Sequence, residues 1–103
     1  PMFRGILSTI YLNLEKNVNQ SKIIKTLKKS YKGEKFVKIL DSDKLLSTND
    51  VINTNNCFIT VCKTKYKNKI IIISAIDNLI KGGAGQAVQN LNNKFNFPEK
   101  TAL

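Results

Sequence analysis

Residues 57–76 read CFITVCKTKYKNKIIIISAI, and this stretch decides the fold. Its opening, CFITVCKT (57–64), is rich in β-branched and aromatic types, and IIIISAI (70–76) is almost continuously apolar. Both read as strands. Between them, Lys65-Tyr66-Lys67-Asn68-Lys69 is a polar turn of hairpin length. Four consecutive isoleucines left in water would be an aggregation hazard, so the second strand is expected at the centre of a sheet, covered on both faces.

Working outward, residues 5–14, GILSTIYLNL, place Ile6, Ile10, Leu12 and Leu14 on one parity and predict a further strand. The period then changes. Over 19–31, Ile23, Ile24, Leu27 and Tyr31 form a stripe at helical spacing, with lysines outside it. Asn19 can cap this helix, and Gly33 is a natural place for it to stop. A short strand is expected at Phe36–Leu40. Residues 41–56 read mainly as connection, with a brief edge pairing at Val51-Ile52. From Gly83 to Phe95 the helical period returns, with Ala84, Val88, Leu91 and Phe95 on one side, and Pro98 prevents continuation. The order is strand, helix, three strands, helix: an α+β unit with a mixed sheet and two packed helices. A chain of 103 residues suits one domain and not two ordinary ones.

The charge balance, 17 basic residues against 7 acidic, would on its own suggest a polyanionic partner. Yet every basic residue except Arg4 is Lys, and bidentate recognition of bases and phosphates favours Arg. The sequence also carries 13 Ile and 13 Asn, so a coding bias toward Lys, Asn and Ile accounts for the lysines without a binding role. Nucleic acid is not expected as a partner. No apolar run approaches a membrane span and the N-terminus lacks signal-peptide character, so no membrane role is expected and the cytoplasm is the default location.

Catalysis by these residues alone is not expected. There is no histidine to act as a base near neutrality, no close carboxylate pair, no P-loop and no G-x-G-x-x-G fingerprint. A metal site is not expected either. On one strand, Cys57 and Cys62 would lie on opposite faces roughly 16 Å apart, which excludes a disulfide between them. They read as small buried hydrophobes.

Two segments stand apart. Asp77-Asn78-Leu79-Ile80-Lys81-Gly82-Gly83-Ala84-Gly85 follows the apolar strand and leads into a helix. Its glycines permit either close approach of a ligand, with Asn78 supplying an amide, or simply a tight packed turn. Arg4, the one guanidinium, directly precedes Gly5 and a strand. It could fix a phosphate or carboxylate, or pair with an internal acid.

The same segments carry a resemblance. PMFRGILSTIY resembles the P-M-x-R-G-I-L-x-T-x-Y segment of N-acetyl-gamma-glutamyl-phosphate reductases, and SAIDNLIKGGAGQAVQNLNNKFNFPE resembles that family's C-terminal signature. TNDVINTNNC is similar to its T-x-x-V-x-G-S-N-x-C region, with Asn53 and Thr54 where Gly-Ser is usual. The resemblance implies the C-terminal domain of the semialdehyde-dehydrogenase-like fold. Residues 1–103 would be a partial substrate-binding and subunit-contact domain whose terminal helix, 83–95, packs on an absent Rossmann domain. It implies an NADPH-dependent reduction of N-acetyl-glutamyl phosphate to the semialdehyde in arginine biosynthesis, through a thioester on a cysteine that these residues do not include. It further implies a homo-oligomer, Arg4 near the substrate, and Asn78, Lys81, Gly82, Gly83 and Gly85 near the nicotinamide end of NADP. Neither tight NADP binding nor activity is expected of the chain alone, and neither Cys57 nor Cys62 is the family's nucleophile. The alternative is a non-catalytic assembly or regulatory module derived from the same fold.

Overall fold

A computed structural model describes residues 3–41 and 44–103. The sheet has four strands: β1 (Ile6–Asn13), β2 (Val37–Ile39), β3 (Cys57–Lys63) and β4 (Lys69–Ile76), in spatial order β1-β4-β3-β2. β4 pairs antiparallel with both neighbours, whereas β2 runs parallel to β3, so the sheet is mixed. The isoleucine strand is central, as its composition demanded.

Register sorts the side chains. Phe58, Ile73 and Ala75 share one face, where the 40–52 connection brings Leu40, Leu46 and Val51 onto them to form the core. Val51 and Ala75 are fully buried. The expected edge pairing at Val51-Ile52 does not form. Thr48–Asp50 is instead a 3-10 turn, and the side chain after it is a core plug rather than a strand residue. A single apolar pair between polar residues fits either role, and the buried face decided it.

Helix α1 (Gln20–Ser30) packs against β3 and β2. Asn19 caps it, its side-chain oxygen accepting the Lys22 N–H at 2.9 Å. Gln20, at the first turn, donates to the Val61 carbonyl at 2.7 Å and ties the helix to the sheet. The helix ends at Ser30, and Gly33 lies in the following turn with φ +91°.

Coverage of β4 is less complete than its apolarity suggested. Ile70 and Ala75 are buried, but Ile71, Ile72, Ile73 and Ser74 are only half-buried. Beyond β4, β1 leaves Ile6, Leu7, Ile10 and Tyr11 exposed, from both faces of the strand. Among the described residues, little of the chain covers this half of the sheet.

Helix α2 spans Gly85–Lys94, starting two residues later than the periodicity placed it. Ile80–Ala84 forms a wide turn first, with Gly82 and Ala84 donating five residues back to Asp77 and Leu79, and the path kinks at Gly83. More telling is the side α2 buries. Gly85, Gln89 and Asn92 face inward, while Leu91 and Phe95 of the apolar stripe are exposed. The inward residues are tied to the chain's last segment: Gln89 donates to Glu99 at 2.7 Å, and Asn92 to the carbonyls of Glu99 and Thr101. Among the described residues no helix is long and apolar enough to cross a membrane.

Candidate functional site

The residues singled out in the sequence meet where β4 ends. Asp77 leaves the strand fully buried, a position that no unpaired carboxylate tolerates. Its Oδ1 accepts the N–H groups of Leu79 and Ile80 at 2.9 and 3.0 Å, which closes the first bend of the turn. Its Oδ2 accepts the N–H of Asn53 at 2.8 Å and lies 2.8 Å from Nε of Arg4. One carboxylate therefore joins the strand end, the 48–56 loop and the approach to β1. Burial pushes its pKa up, but the Asn53 amide, the Arg4 guanidinium and the Leu79 and Ile80 amides outweigh burial and hold it down to about 2.

Arg4 thus pairs with an internal acid, one of its two expected roles. Its side chain keeps 29% of its surface, so the pair has an inner and an outer side. The adjoining backbone is fixed separately: Gly5 N–H donates to Asn78 Oδ1 at 2.6 Å. Gly5 has φ +104°, and a Cβ there would come 2.7 Å from Thr48 Cβ, so glycine is required twice over.

The loop that supplies Asn53 carries Asn-Thr where the resembled pattern has Gly-Ser. Asn53 has φ +61°, the left-handed conformation in which Asn is the best tolerated residue after Gly. Thr54 keeps a hydroxyl, which donates to the Val51 carbonyl at 2.7 Å and accepts from the Asn56 N–H.

Asn55, 5% exposed, carries the assembly across to α2. Its amide donates to Gln89 Oε1 at 2.9 Å, and Lys81 Nζ donates to the same oxygen at 2.7 Å. Gly85 is packed hard against this contact. A Cβ at Gly85 would lie 2.5 Å from Asn55 Oδ1 and 2.6 Å from Ile80 Cγ2.

Arg4, Asn78 and the 77–85 turn are therefore one corner, and Asn53 and Asn55, noticed only as departures from or matches to a pattern, belong to it. The Asn78 oxygen and the Lys81 ammonium point to partners inside the chain, with Lys81 also 5.4 Å over the Phe36 ring. Gly82 and Gly83 keep exposed surface. A cleft of ≈ 650 Å³ opens beside the corner, with Asn53, Thr54, Asn55, Gly85, Lys38 and Lys100 among its walls.

Two cysteines, Cys57 and Cys62, lie on β3 and are half-buried rather than the buried hydrophobes expected. Both are free, and the strand register places them on opposite faces. Burial pushes the Cys57 thiol up, only partly offset by the Lys81 charge, which disfavours the thiolate.

Comparison with known proteins gives a consistent outcome. A family model described as "Semialdehyde dehydrogenase, dimerisation domain" matches residues 1–78. Over all 103 residues the chain is 48% identical to an N-acetyl-gamma-glutamyl-phosphate reductase of Desulforamulus reducens. It is 47% identical to that of Caldicellulosiruptor saccharolyticus and 45% to that of Ehrlichia chaffeensis. In each case the match covers the whole of this chain and 30% of the relative.

Proposed function

The chain belongs to the semialdehyde dehydrogenase dimerisation-domain family, and from that premise we propose that it is the subunit-pairing and substrate-side domain of an N-acetyl-gamma-glutamyl-phosphate reductase. The whole protein reduces N-acetyl-glutamyl phosphate to the semialdehyde with NADPH, in arginine biosynthesis. The observation that carries this reading is convergence. Three stretches similar to those reductases, far apart in sequence, meet in one buried corner through Arg4, Asn53, Asn55, Asp77, Asn78 and Gln89. Residues in such a corner are fixed relative to one another, as a binding constellation requires.

Within that protein the domain's own part is assembly and positioning rather than bond-making. Burial raises the pKa of the Cys57 thiol, and the Asp77 carboxylate is spent on internal donors. The reacting cysteine and the nucleotide-binding half belong to sequence beyond these 103 residues. Arg4 faces the anionic substrate. NADPH, when bound, supplies the hydride. Of the residues expected near it, Gly82 and Gly83 offer open backbone surface, whereas Asn78, Lys81 and Gly85 hold the turn in shape.

Both apolar surfaces find occupants in this reading. The β1–β4 half of the sheet meets a second copy of the chain. The outward stripe of α2, Leu91 and Phe95, packs on the nucleotide-binding half, which is why the helix turns its polar side toward its own domain.

The test is turnover by the full-length protein. It should oxidise NADPH in the presence of N-acetyl-glutamyl phosphate and release phosphate in equal amount, and it should restore growth without arginine to a strain lacking the reductase. Failure of both would overturn the reductase reading and leave the assembly role standing alone.

A further inference from the structure

We propose that Asp77 is a positioning residue for Arg4, holding the guanidinium by its Nε edge so that the Nη edge faces outward to grip a carboxylate or phosphate of the substrate. This rests on the reductase reading above. The carboxylate cannot swing: three backbone amides from two separate segments hold its two oxygens. Arg4 Nε lies 2.8 Å from Oδ2 and is buried, yet it makes no well-aligned hydrogen bond. Charge and confinement fix it there. No hydrogen bond from either Nη is present among the described residues, and a guanidinium held at Nε still offers a pair of parallel donors at its far edge.

The backbone of Arg4 is held from the same side. Asn78, the residue after Asp77, accepts the N–H of Gly5, the residue after Arg4. Two adjacent residues beyond β4 thus fix the side chain and the main chain of one arginine. The ionised pair carries no net charge, so Arg4 offers directed donors rather than a bare positive field. A lysine at position 4 would keep the charge and lose both the Nε hold and the fork.

The experiment uses the full-length protein, run from semialdehyde, inorganic phosphate and NADP, so that KM is read separately for the carboxylate-bearing substrate and for phosphate. Asp77→Asn should raise one of these KM values about tenfold, the loss of one charge-assisted hydrogen bond from the displaced guanidinium to the substrate, with a smaller change in kcat. Whichever KM moves names the group that Arg4 holds. In an Arg4→Lys background the same substitution should add less than about twofold, because the residue it acts through is gone. Both KM values within twofold of wild type in a folded Asp77→Asn protein would overturn the proposal, as would an equal added effect beside Lys at position 4. Should Asp77→Asn fail to fold, Arg4→Ala carries the test. Added guanidinium should restore its KM and ethylammonium should not, whereas no rescue, or equal rescue by both, rejects the role. A wild-type protein without turnover would remove the reductase reading and this proposal with it.

Discussion

The corner beyond β4 and the β1 side of the sheet are built on opposite rules. In the corner, polar groups are buried and engaged: one carboxylate accepts three backbone amides and faces the Arg4 guanidinium, Asn55 and Gln89 share a network, and Gly5 and Gly85 sit where a Cβ would clash. Along the half paired with β1, regular strand leaves Ile6, Leu7, Ile10 and Tyr11 in water, and the Ile71–Ser74 run only half covered. One region is finished within the chain and intolerant of change. The other is a surface whose free energy is realised only when something covers it.

Substitution should separate the two. Gly85→Ala drives a methyl into Asn55 Oδ1, Ile80 Cγ2 and the Ile80 carbonyl, all within 2.9 Å. A backbone carbonyl cannot step aside, so a loss of about 3 kcal/mol or more is expected, read as a lower urea midpoint. Gly33→Ala is the control, since its Cβ would meet nothing within 4 Å. Only the strain of φ +91° remains there, about 1 kcal/mol. Equal losses at the two glycines would mean the corner is looser than its distances.

The apolar half should respond in the opposite sense, in association rather than stability. Ile10→Lys on β1 places a charge on an exposed position, so an isolated subunit should lose less than about 0.5 kcal/mol. If β1 lies in the subunit contact, dissociation should rise about 100-fold, measurable as a shift of sedimentation coefficient with concentration. An unchanged oligomer would place the contact elsewhere. A protein that is monomeric at high concentration would leave the exposed strand without an occupant.

Acid distinguishes the regions again. The Asp77 carboxyl has an ordinary value of 3.8, and the folded corner holds it at about 2. The unfolded chain therefore binds the proton first. The stability this contributes is fully present above pH 4 to 5 and is lost as pH falls through about 2. Stability followed by urea titration from pH 5 to 2 should decline, and Asp77→Asn should flatten that decline by the share that belongs to this group. The β1 half contains no carboxylate, so Ile10→Lys should leave the slope unchanged.

The regular half was the more legible in sequence. Hydrophobic alternation and the hairpin turn chemistry placed β1, β3, β4 and the α1 cap, because those signals are local. Local signals also misled. Val51, paired with Ile52, reads like a strand fragment and is a core plug, and the stripe of α2 reads as inward-facing although the domain buries the opposite side. A helical period reports that an apolar face will be covered and not which body covers it. The corner was legible only as separate spellings. Arg4, Asn78 and the glycines were singled out, but the acid that unites them, Asp77, was quoted only as the start of its segment, with nothing in the spacing to assign it a role. Its role depends on contacts with residues 24 and 73 positions away, a separation that periodicity cannot span.

Asn53 offers the finest comparison, because it is where the corner tolerates a change of spelling. At φ +61° the backbone is set for Gly, and Asn bears that conformation at small cost through its short polar side chain. Its N–H still reaches Asp77 Oδ2 at 2.8 Å, so the contact that matters is made by the main chain and is indifferent to the side chain. Asn53→Gly should therefore change stability by less than about 0.5 kcal/mol, relief of strain being offset by greater freedom of the unfolded chain. Asn53→Ala should cost about 1 kcal/mol. The exposed side chain has nothing else to lose, so a larger penalty for Ala would show that the amide of Asn53, and not only its backbone, holds the loop against Asp77.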